Sequence, residues 1–312
     1  MRSDPCHTVE RFFLKGKTHM VAPEMALSVV IPVYNEQNSI LTVVASLDQT
    51  LAALGLPYEI ILVDDGSTDQ TPQKMRELPA RFPHLVTLTH EEKRGYGAAL
   101  KTGISRSAFD RIMIIDADQT YTVDEIPRLV EAAKSFDMVV GSRTGPGVHI
   151  PLIRRPAKFI MKRLAEFLVG RKIPDINSGF RIFKKEIFDR FHRMFPDGFS
   201  FTSTLTLISL SRGYTFQYIP IKYLQRVGKS KIRPIRDTFN FLQLICRTVL
   251  YVNPMKVFFP ASLVLFEISL ILYLYRVIFG RGFLVSIIVT FICGFQLLVI
   301  GLLADLIDKR MQ

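Results

Sequence analysis

The sequence predicts an α/β fold, a mostly parallel sheet with helices on both faces, followed by a C-terminal two-helix transmembrane hairpin. Three observations predict it. Short apolar runs alternate with helical-period segments from Leu27 to Gly141, polar clusters follow the ends of those runs, and two long apolar stretches close the chain. Repeated βα units of this length give a parallel sheet covered on both sides.

Taken in order, Leu27–Ile31 reads as a buried strand, and 38–54 as a helix with Ile40, Leu41, Val44, Leu47 and Leu51 on one face. Tyr58–Val63 is a second strand, and 69–79 a short helix with Thr68 or Asp69 as N-cap. Leu85–Leu88 is a third strand and 97–107 a third helix. Arg111–Ile115 is a fourth strand, 123–134 a helix, and Asp137–Gly141 a fifth strand. Residues 142–157 read as a Gly-, Pro- and Arg-rich loop, 157–170 as a helix, and 179–225 as a mixed closing region with a 199–210 helix and a strand at Tyr214–Ile221. The runs 257–279 and 283–306 are each long enough to span a bilayer, which takes about 20 residues. Only Gly280-Arg281-Gly282 separates them, so they form a hairpin.

The chain carries a net charge of +12 and is 48% hydrophobic. Its mean hydropathy of +0.23 is high for a wholly soluble protein. A basic balance suits nucleic acid, anionic lipid or phosphorylated substrates. Nucleic acid is set aside as a partner because it explains neither the spans nor the clustered acids. The three cysteines, Cys6, Cys246 and Cys293, show no metal or redox spacing. Residues 1–25 hold scattered charges without an apolar core, and are expected to be a poorly ordered extension rather than a secretory signal.

In an open parallel sheet, ligands gather at the carboxyl ends of the strands. The polar clusters here follow those ends: Asn35-Glu36, Asp64-Asp65, Asp116-Ala-Asp118 and Ser142-Arg143. The Asp116-x-Asp118 pair puts two like charges at one strand mouth, which is unfavourable unless a cation joins them. Mg²⁺ or Mn²⁺ with oxygen ligands and a diphosphate fits.

Five motifs occur in order: Val30-Ile-Pro-Val-Tyr-Asn-Glu36, Val63-Asp-Asp-Gly-Ser-Thr-Asp69, Gly95-Tyr-Gly97, Asp116-Ala-Asp118 and Asn177-Ser-Gly-Phe-Arg181. Together they resemble family-2 glycosyltransferases of GT-A, Rossmann-like fold, in the dolichol-phosphate-mannose-synthase-like branch, and Arg226-Val-Gly-Lys-Ser-Lys231 resembles that branch too. The resemblance covers about residues 26–235. It implies a nucleotide-sugar pocket lined by Pro32, Tyr34 and Glu36, with Asp64 and Asp65 on base and ribose, and Gly95 allowing close backbone approach to the nucleotide. It implies Asp116 and Asp118 on the cation and diphosphate. Many relatives have a Gln two positions after the second Asp, where this chain has Thr120, with Gln119 one residue earlier. The third ligand is then Thr120, a shifted Gln119, or water.

On the acceptor side, Arg143, Arg154, Arg155, Arg181, Arg226, Lys229 and Lys231 offer donors for a lipid phosphate and the leaving diphosphate. Arg143 and Arg181 sit inside motifs and are expected to act in the chemistry, and His149 reads as an ordinary loop residue. A phosphate monoester is largely ionised near neutrality and needs no strong base. Its oxygen attacks the anomeric carbon opposite the nucleoside diphosphate, and the resemblance implies inversion. Asp197 is a candidate base for a hydroxyl acceptor, or a turn residue before the next helix.

The expected activity is transfer of a hexose from a UDP- or GDP-sugar to a polyprenyl (undecaprenyl or dolichyl) phosphate. The alternatives are transfer to another membrane lipid hydroxyl and a non-catalytic membrane scaffold; intact Asp64, Asp65, Asp116 and Asp118 argue against the scaffold. The expected organisation is a 26–235 catalytic domain, a 236–254 amphipathic interfacial helix on membrane lipid, and a 255–308 hairpin. Residues 222–247 carry Lys222, Arg226, Lys229, Lys231, Arg233, Arg236 and Arg247 against Asp237. The positive-inside rule therefore puts the catalytic domain on the cytoplasmic side of the inner membrane, in a multi-pass protein. Glu267 lies mid-span, and equal counting from the turn pairs it with Gln296, inside the hairpin or across a homo-oligomer.

Overall fold

The structure, a computed structural model, describes residues 25–144, 163, 166, 167, 169–198, 200–224, 254–280 and 284–310. Arg154, Arg155, Arg226, Lys229 and Lys231, the 145–156 loop with His149, and the expected 236–254 helix lie outside the described residues.

The chain runs β1 (Leu27–Val33), α1 (Ile40–Ala53), β2 (Tyr58–Asp64), α2 (Thr71–Glu77), β3 (Leu85–Thr89), α3 (Tyr96–Arg106), β4 (Arg111–Ile114), α4 (Ile126–Ala133), β5 (Met138–Ser142), β6 (Arg181–Lys184), α5 (Lys185–Phe191), α6 (Phe201–Ser211), β7 (Phe216–Pro220), α7 (Met255–Phe279) and α8 (Leu284–Arg310). Within the expected 157–170 helix, Arg163, Glu166, Phe167 and Val169 are helical. The N-cap expectation for α2 shifts by a residue: the cap position is Gln70, and Asp69 Oδ1 instead accepts the Thr71 N–H at 2.9 Å.

The seven strands form one sheet in the order β3-β2-β1-β4-β6-β5-β7. All pair parallel except β6, which runs antiparallel to both β4 and β5. Residues alternate faces along each strand. Val29 and Ile31 of β1 and Ile60 and Leu62 of β2 point to the face covered by α1, α2 and α4. Val30, Ile61 and Val63 point to the face covered by α3, α5 and α6. Burying each such side chain contributes about 1.5–3 kcal/mol, so central strands covered on both faces read as unbroken apolar runs. Pro32 is tolerated inside β1 because its missing N–H falls on the β4 side, and β4 pairing ends at Val30–Ile114.

The reversed β6 decides the site. Because it runs against its neighbours, its first residues lie at the carboxyl ends of β4 and β5. Arg181 is in register with Ile114 and Val140. The Asn177–Phe180 segment that feeds β6 therefore enters at the rim where Asp116 and Ser142 emerge.

Helices α7 and α8 are long and apolar enough to cross a membrane. They lie against each other through Gly294 under Phe266 and Gly301 under Phe258, with Ser269 Oγ donating to Ile287 O at 3.0 Å. The Ser269–Ile287 and Phe266–Phe291 contacts set Glu267 opposite Val289–Phe291. Gln296 lies further along α8, beyond Gly294, which packs on Phe266 and Leu265. The expected Glu267–Gln296 bond within the hairpin is not formed, and both side chains are exposed.

Candidate active site

The site is a rim built from the loops after β1, β2, β3, β4 and β5 and from the segment entering β6. On one side, the loop after β1 is laced to the loop after β2. Asn35 takes a left-handed conformation (φ 54) that lets its N–H meet Ser67 Oγ at 2.8 Å, while its side-chain oxygen accepts the Thr68 N–H at 2.8 Å. The Glu36 N–H donates to Thr71 Oγ1 at 2.9 Å, and Ser39 Oγ donates to Glu36 Oε2 at 2.9 Å. Tyr34 stands with Lys93 Nζ 3.4 Å from its ring centroid, so a cation already lies on the aromatic face expected to meet the nucleotide.

Asp64 and Asp65 have different jobs. The buried Asp65 carboxylate accepts from His90 Nδ1 at 3.0 Å, the Arg94 N–H at 2.8 Å and the Gly95 N–H at 2.8 Å. His90 Nε2 meets Thr102 Oγ1 at 2.9 Å on its other side. Asp65 therefore shapes the 90–95 loop. Asp64 Oδ1 accepts the Ser67 N–H at 3.1 Å, whereas its Oδ2 is buried without a hydrogen-bond partner among the described residues. A buried unpaired carboxylate oxygen is costly.

Gly95 needs its glycine for a different reason from the one expected. Its φ is 116°, and a Cβ there would run into Asp197 O. A Cβ on Gly97 would run even closer into Pro196 O, and the Ala98 N–H donates to Asp197 O at 3.1 Å. The close approach is therefore to the 196–198 backbone. The Asp197 carboxylate, largely exposed, is paired with Lys101 Nζ at 2.7 Å.

Between the glycines, Tyr96 reaches the centre of the site. Its hydroxyl donates to Asp116 Oδ1 at 3.0 Å. Burial, and then the negative charge of Asp116, push the Tyr96 hydroxyl well above its ordinary range, so it stays a donor. Asp116 is boxed in from β6 as well, since a Cβ on Gly179 would fall 2.5 Å from Asp116 Oδ2. Asp118 Oδ1 accepts both the Thr120 hydroxyl at 2.6 Å and the Thr120 N–H at 3.2 Å. Thr120 is buried and thus orients Asp118, a correction to its expected place among the third-ligand candidates. Gln119 is exposed on a left-handed turn (φ 58).

At the end of β5, Arg143 grips Asp175. Its Nε donates to Oδ2 at 2.7 Å and its Nη2 to Oδ1 at 2.9 Å. Burial opposes charge on both groups, but the paired hydrogen bonds outweigh it and hold Asp175 below and Arg143 above their ordinary values. The ring of Tyr223 lies 5.4 Å from Arg143 Cζ. Tyr121 OH accepts the Gly179 N–H at 2.9 Å, and the Leu224 N–H donates to Thr120 O at 2.9 Å. Leu224 is thereby pinned beside Thr120.

Arg181 is not at the surface of the site. Its side chain is 0% exposed, with Nε donating to Ser178 O at 2.9 Å and Nη1 to Thr202 O at 2.8 Å and Thr206 Oγ1 at 3.0 Å. Burial lowers its pKa, yet a guanidinium keeps its proton. The expectation that Arg181 meets a phosphate is corrected: it is a fixed cation behind the rim that holds the Asn177–Gly179 turn through the Ser178 carbonyl. A cavity of about 210 Å³, lined among others by Asp116, Gln119, Tyr121, Ser46 and Leu224, opens next to the acids. Among the described residues, no three His, Cys, Asp or Glu side chains converge as a complete metal cage.

A glycosyl transferase family 2 model matches residues 28–191, and a GtrB C-terminal hairpin model matches 253–309. The chain belongs to glycosyl transferase family 2. This family-2 glycosyltransferase is 29% identical over 210 residues to a dolichyl-phosphate hexose transferase of Haloferax volcanii, covering 67% of this chain and 87% of that one. It is 29% identical over 297 residues to an undecaprenyl-phosphate 4-deoxy-4-formamido-L-arabinose transferase of Klebsiella pneumoniae, covering 92% and 89%. Its fold matches a glucosyl-3-phosphoglycerate synthase from Mycobacterium tuberculosis solved with Mn²⁺, uridine diphosphate and phosphoglyceric acid (TM-score 0.56, 19% identity, 73% and 78% of the two chains). It also matches S. aureus TarS solved with UDP-GlcNAc (TM-score 0.53, 16% identity, 73% and 68%). The GT-A expectation is borne out, as is the expected glycosyltransferase class.

Proposed function

We propose that the protein transfers a hexose, with inversion, from a nucleoside-diphosphate sugar to a polyprenyl phosphate, giving a lipid-linked sugar at the cytoplasmic membrane face. The observation that carries the reading is the meeting at one rim of Asp116, braced by Tyr96 and Gly179, and of Arg143, braced by Asp175. The named activities of the Haloferax and Klebsiella relatives and the match to a membrane hairpin support the same acceptor class.

Asp64 Oδ2 takes a donor group of the nucleotide, and the Tyr34–Glu36 loop, held by Ser67 and Thr71, forms the wall of that pocket. Asp116 and Asp118 are hard oxygen donors that would hold Mg²⁺ or Mn²⁺. The structural neighbour solved with Mn²⁺ supports a divalent cation. When bound, that cation supplies neutralisation of the leaving diphosphate. The exposure of Gln119 beside the acids supports it as a further ligand.

On the other side, Arg143 orients the acceptor phosphate, and Arg154, Arg155, Arg226, Lys229 and Lys231 supply further positive charge. The phosphate oxygen is ionised near neutrality, so positioning and charge neutralisation suffice. The engagement of Asp197 with Lys101 supports an acceptor that needs no base over a lipid hydroxyl. The Lys- and Arg-rich 222–247 stretch supports a cytoplasmic catalytic domain. Glu267 and Gln296, exposed within apolar helices, support contact of the hairpin with a second copy.

The test is a panel of radiolabelled UDP- and GDP-hexoses with purified protein, undecaprenyl phosphate, and Mg²⁺ or Mn²⁺. Label moving into a polyprenyl-linked product is expected. No such product from any donor, or product with diacylglycerol alone, overturns the reading.

A further inference from the structure

The Arg143–Asp175 pair uses only one edge of the guanidinium. Asp175 Oδ2 accepts from Arg143 Nε at 2.7 Å and from the Arg143 backbone N–H at 3.1 Å. Asp175 Oδ1 accepts from Arg143 Nη2 at 2.9 Å and from the Asn177 N–H at 3.1 Å. A carboxylate offers about four lone-pair sites, so these four donors saturate Asp175. Arg143 Nη1, by contrast, has no hydrogen-bond partner among the described residues. The Arg143 side chain is 25% exposed and that of Asp175 11%. Tyr223 lies near the guanidinium, its ring centroid 5.4 Å from Cζ. Two bonds along one edge and a neighbouring aromatic ring fix the plane of a side chain that would otherwise sample many rotamers.

The pair also sits between the two halves of the site. Asn177, whose N–H is held by Asp175, starts the turn that places Gly179 against Asp116. Its Oδ1 accepts the hydroxyl of Ser203 on α6. One carboxylate therefore sets both the arginine and the entry to the reversed strand.

We infer that Asp175 is a positioning residue that locks the guanidinium of Arg143 by its Nε–Nη2 edge, so that the remaining Nη1 edge meets the acceptor's phosphomonoester. This rests on the proposed polyprenyl-phosphate reading. Opposite charges in the pair offset each other, so the pair directs the phosphate more than it attracts it. Long-range attraction is left to the basic residues on the flanking segments.

The experiment is a double-mutant cycle with Asp175→Asn and Arg143→Ala in the full chain, measuring KM separately for the nucleotide-sugar and for undecaprenyl phosphate. Asp175→Asn removes the charge and keeps an acceptor for only one of the two backbone N–H groups, since these reach different oxygens. It is expected to raise acceptor KM about tenfold, an order set by loss of one charge-assisted contact, with donor KM within about twofold. If Asp175 acts through Arg143, the double variant is no weaker than Arg143→Ala alone. Asp175→Glu, which keeps the charge, is expected to recover part of the acceptor KM, and it serves for the cycle if Asp175→Asn does not fold. Additive losses in the double variant, or equal rises in both KM values, overturn the inference. A wild-type protein that makes no polyprenyl-linked product sinks the functional reading and the inference together; an active wild type with an additive cycle sinks the inference alone.

Discussion

Gly179 and Asp116 occupy one another's space: a Cβ on Gly179 would stand 2.5 Å from Asp116 Oδ2 and 2.8 Å from Oδ1. The carboxylate cannot yield toward the other side freely, because the Tyr96 hydroxyl holds Oδ1 at 3.0 Å. Gly179→Ala should therefore expel Asp116 from its position and cut kcat by at least about 100-fold, as misplacement of a reacting group by about 1 Å does. Tyr96→Phe leaves the space intact and removes one hydrogen bond, worth about 1 kcal/mol. It should lower kcat about five- to tenfold. Steady-state kinetics on the two variants, with circular dichroism to confirm folding, check the order. Equal losses would contradict it.

The two neighbouring acids after β2 should separate cleanly. Asp65→Asn weakens three hydrogen bonds that organise residues 90–95, so it should lower Tm. Asp64→Asn replaces an unpartnered oxygen, and should raise nucleotide KM about tenfold while leaving Tm nearly unchanged. Thermal melts and donor titrations on both variants decide it.

The two motif arginines should separate in the opposite sense. Arg181→Leu strands the carbonyls of Ser178 and Thr202 inside the protein, at about 1–3 kcal/mol for each unsatisfied group. It should fold poorly or melt far earlier. Arg143→Ala leaves the largely buried Asp175 carboxylate without its countercharge, so it should lose stability as well, though less than Arg181→Leu, and should lose acceptor affinity. Chemical denaturation curves measure the difference.

Stability should fall at both ends of the pH scale for identifiable reasons. Burial alone would raise the Asp137 carboxyl, but hydrogen bonds from Lys184 and Thr215 bring it from an ordinary 3.8 to about 2. A depressed folded value contributes stability that is complete above the unfolded pKa and is lost as pH falls from near 4 through about 2. Tyr58 is pushed up to about 12 by burial and then by its hydrogen bond to Asp48. A raised folded value contributes stability below the unfolded pKa near 10 that is lost as pH climbs toward about 12. Melting curves across both windows test this. Asp137→Asn should flatten the acid limb, and Tyr58→Phe the alkaline one.

Much of this was legible in the residues. The central parallel strands announced themselves because they are covered on both faces and read as apolar runs, and the acids at their ends followed from the sheet's polarity. Arg181–Lys184 did not, since four residues of mixed character carry no strand signal apart from the partners on either side. Missing the reversed strand meant missing its consequences: Gly179 against Asp116, Arg181 sealed inside, and Asp175 as the mate of Arg143. Asp175 looked like an ordinary acid in a Pro-Asp turn, and nothing local says that an arginine 32 residues earlier closes on it. Asp64 and Asp65 are adjacent in sequence and point in opposite directions along a strand, so their unlike roles needed the path of the 90–95 loop. The hairpin register was misjudged because symmetric counting from the turn ignores which small residues, here Gly294 and Gly301, let the helices touch.

Strand β6 is hydrogen-bonded on one side to β4, which ends at the acids, and on the other to β5, which ends at Arg143. It works as a splint across the sheet. The two walls of the cleft therefore cannot hinge apart as separate lobes without tearing main-chain ladders. Opening for an incoming donor and closing around a lipid headgroup must be absorbed by the connecting segments at the rim, while the spacing between the two walls stays constant through the reaction cycle.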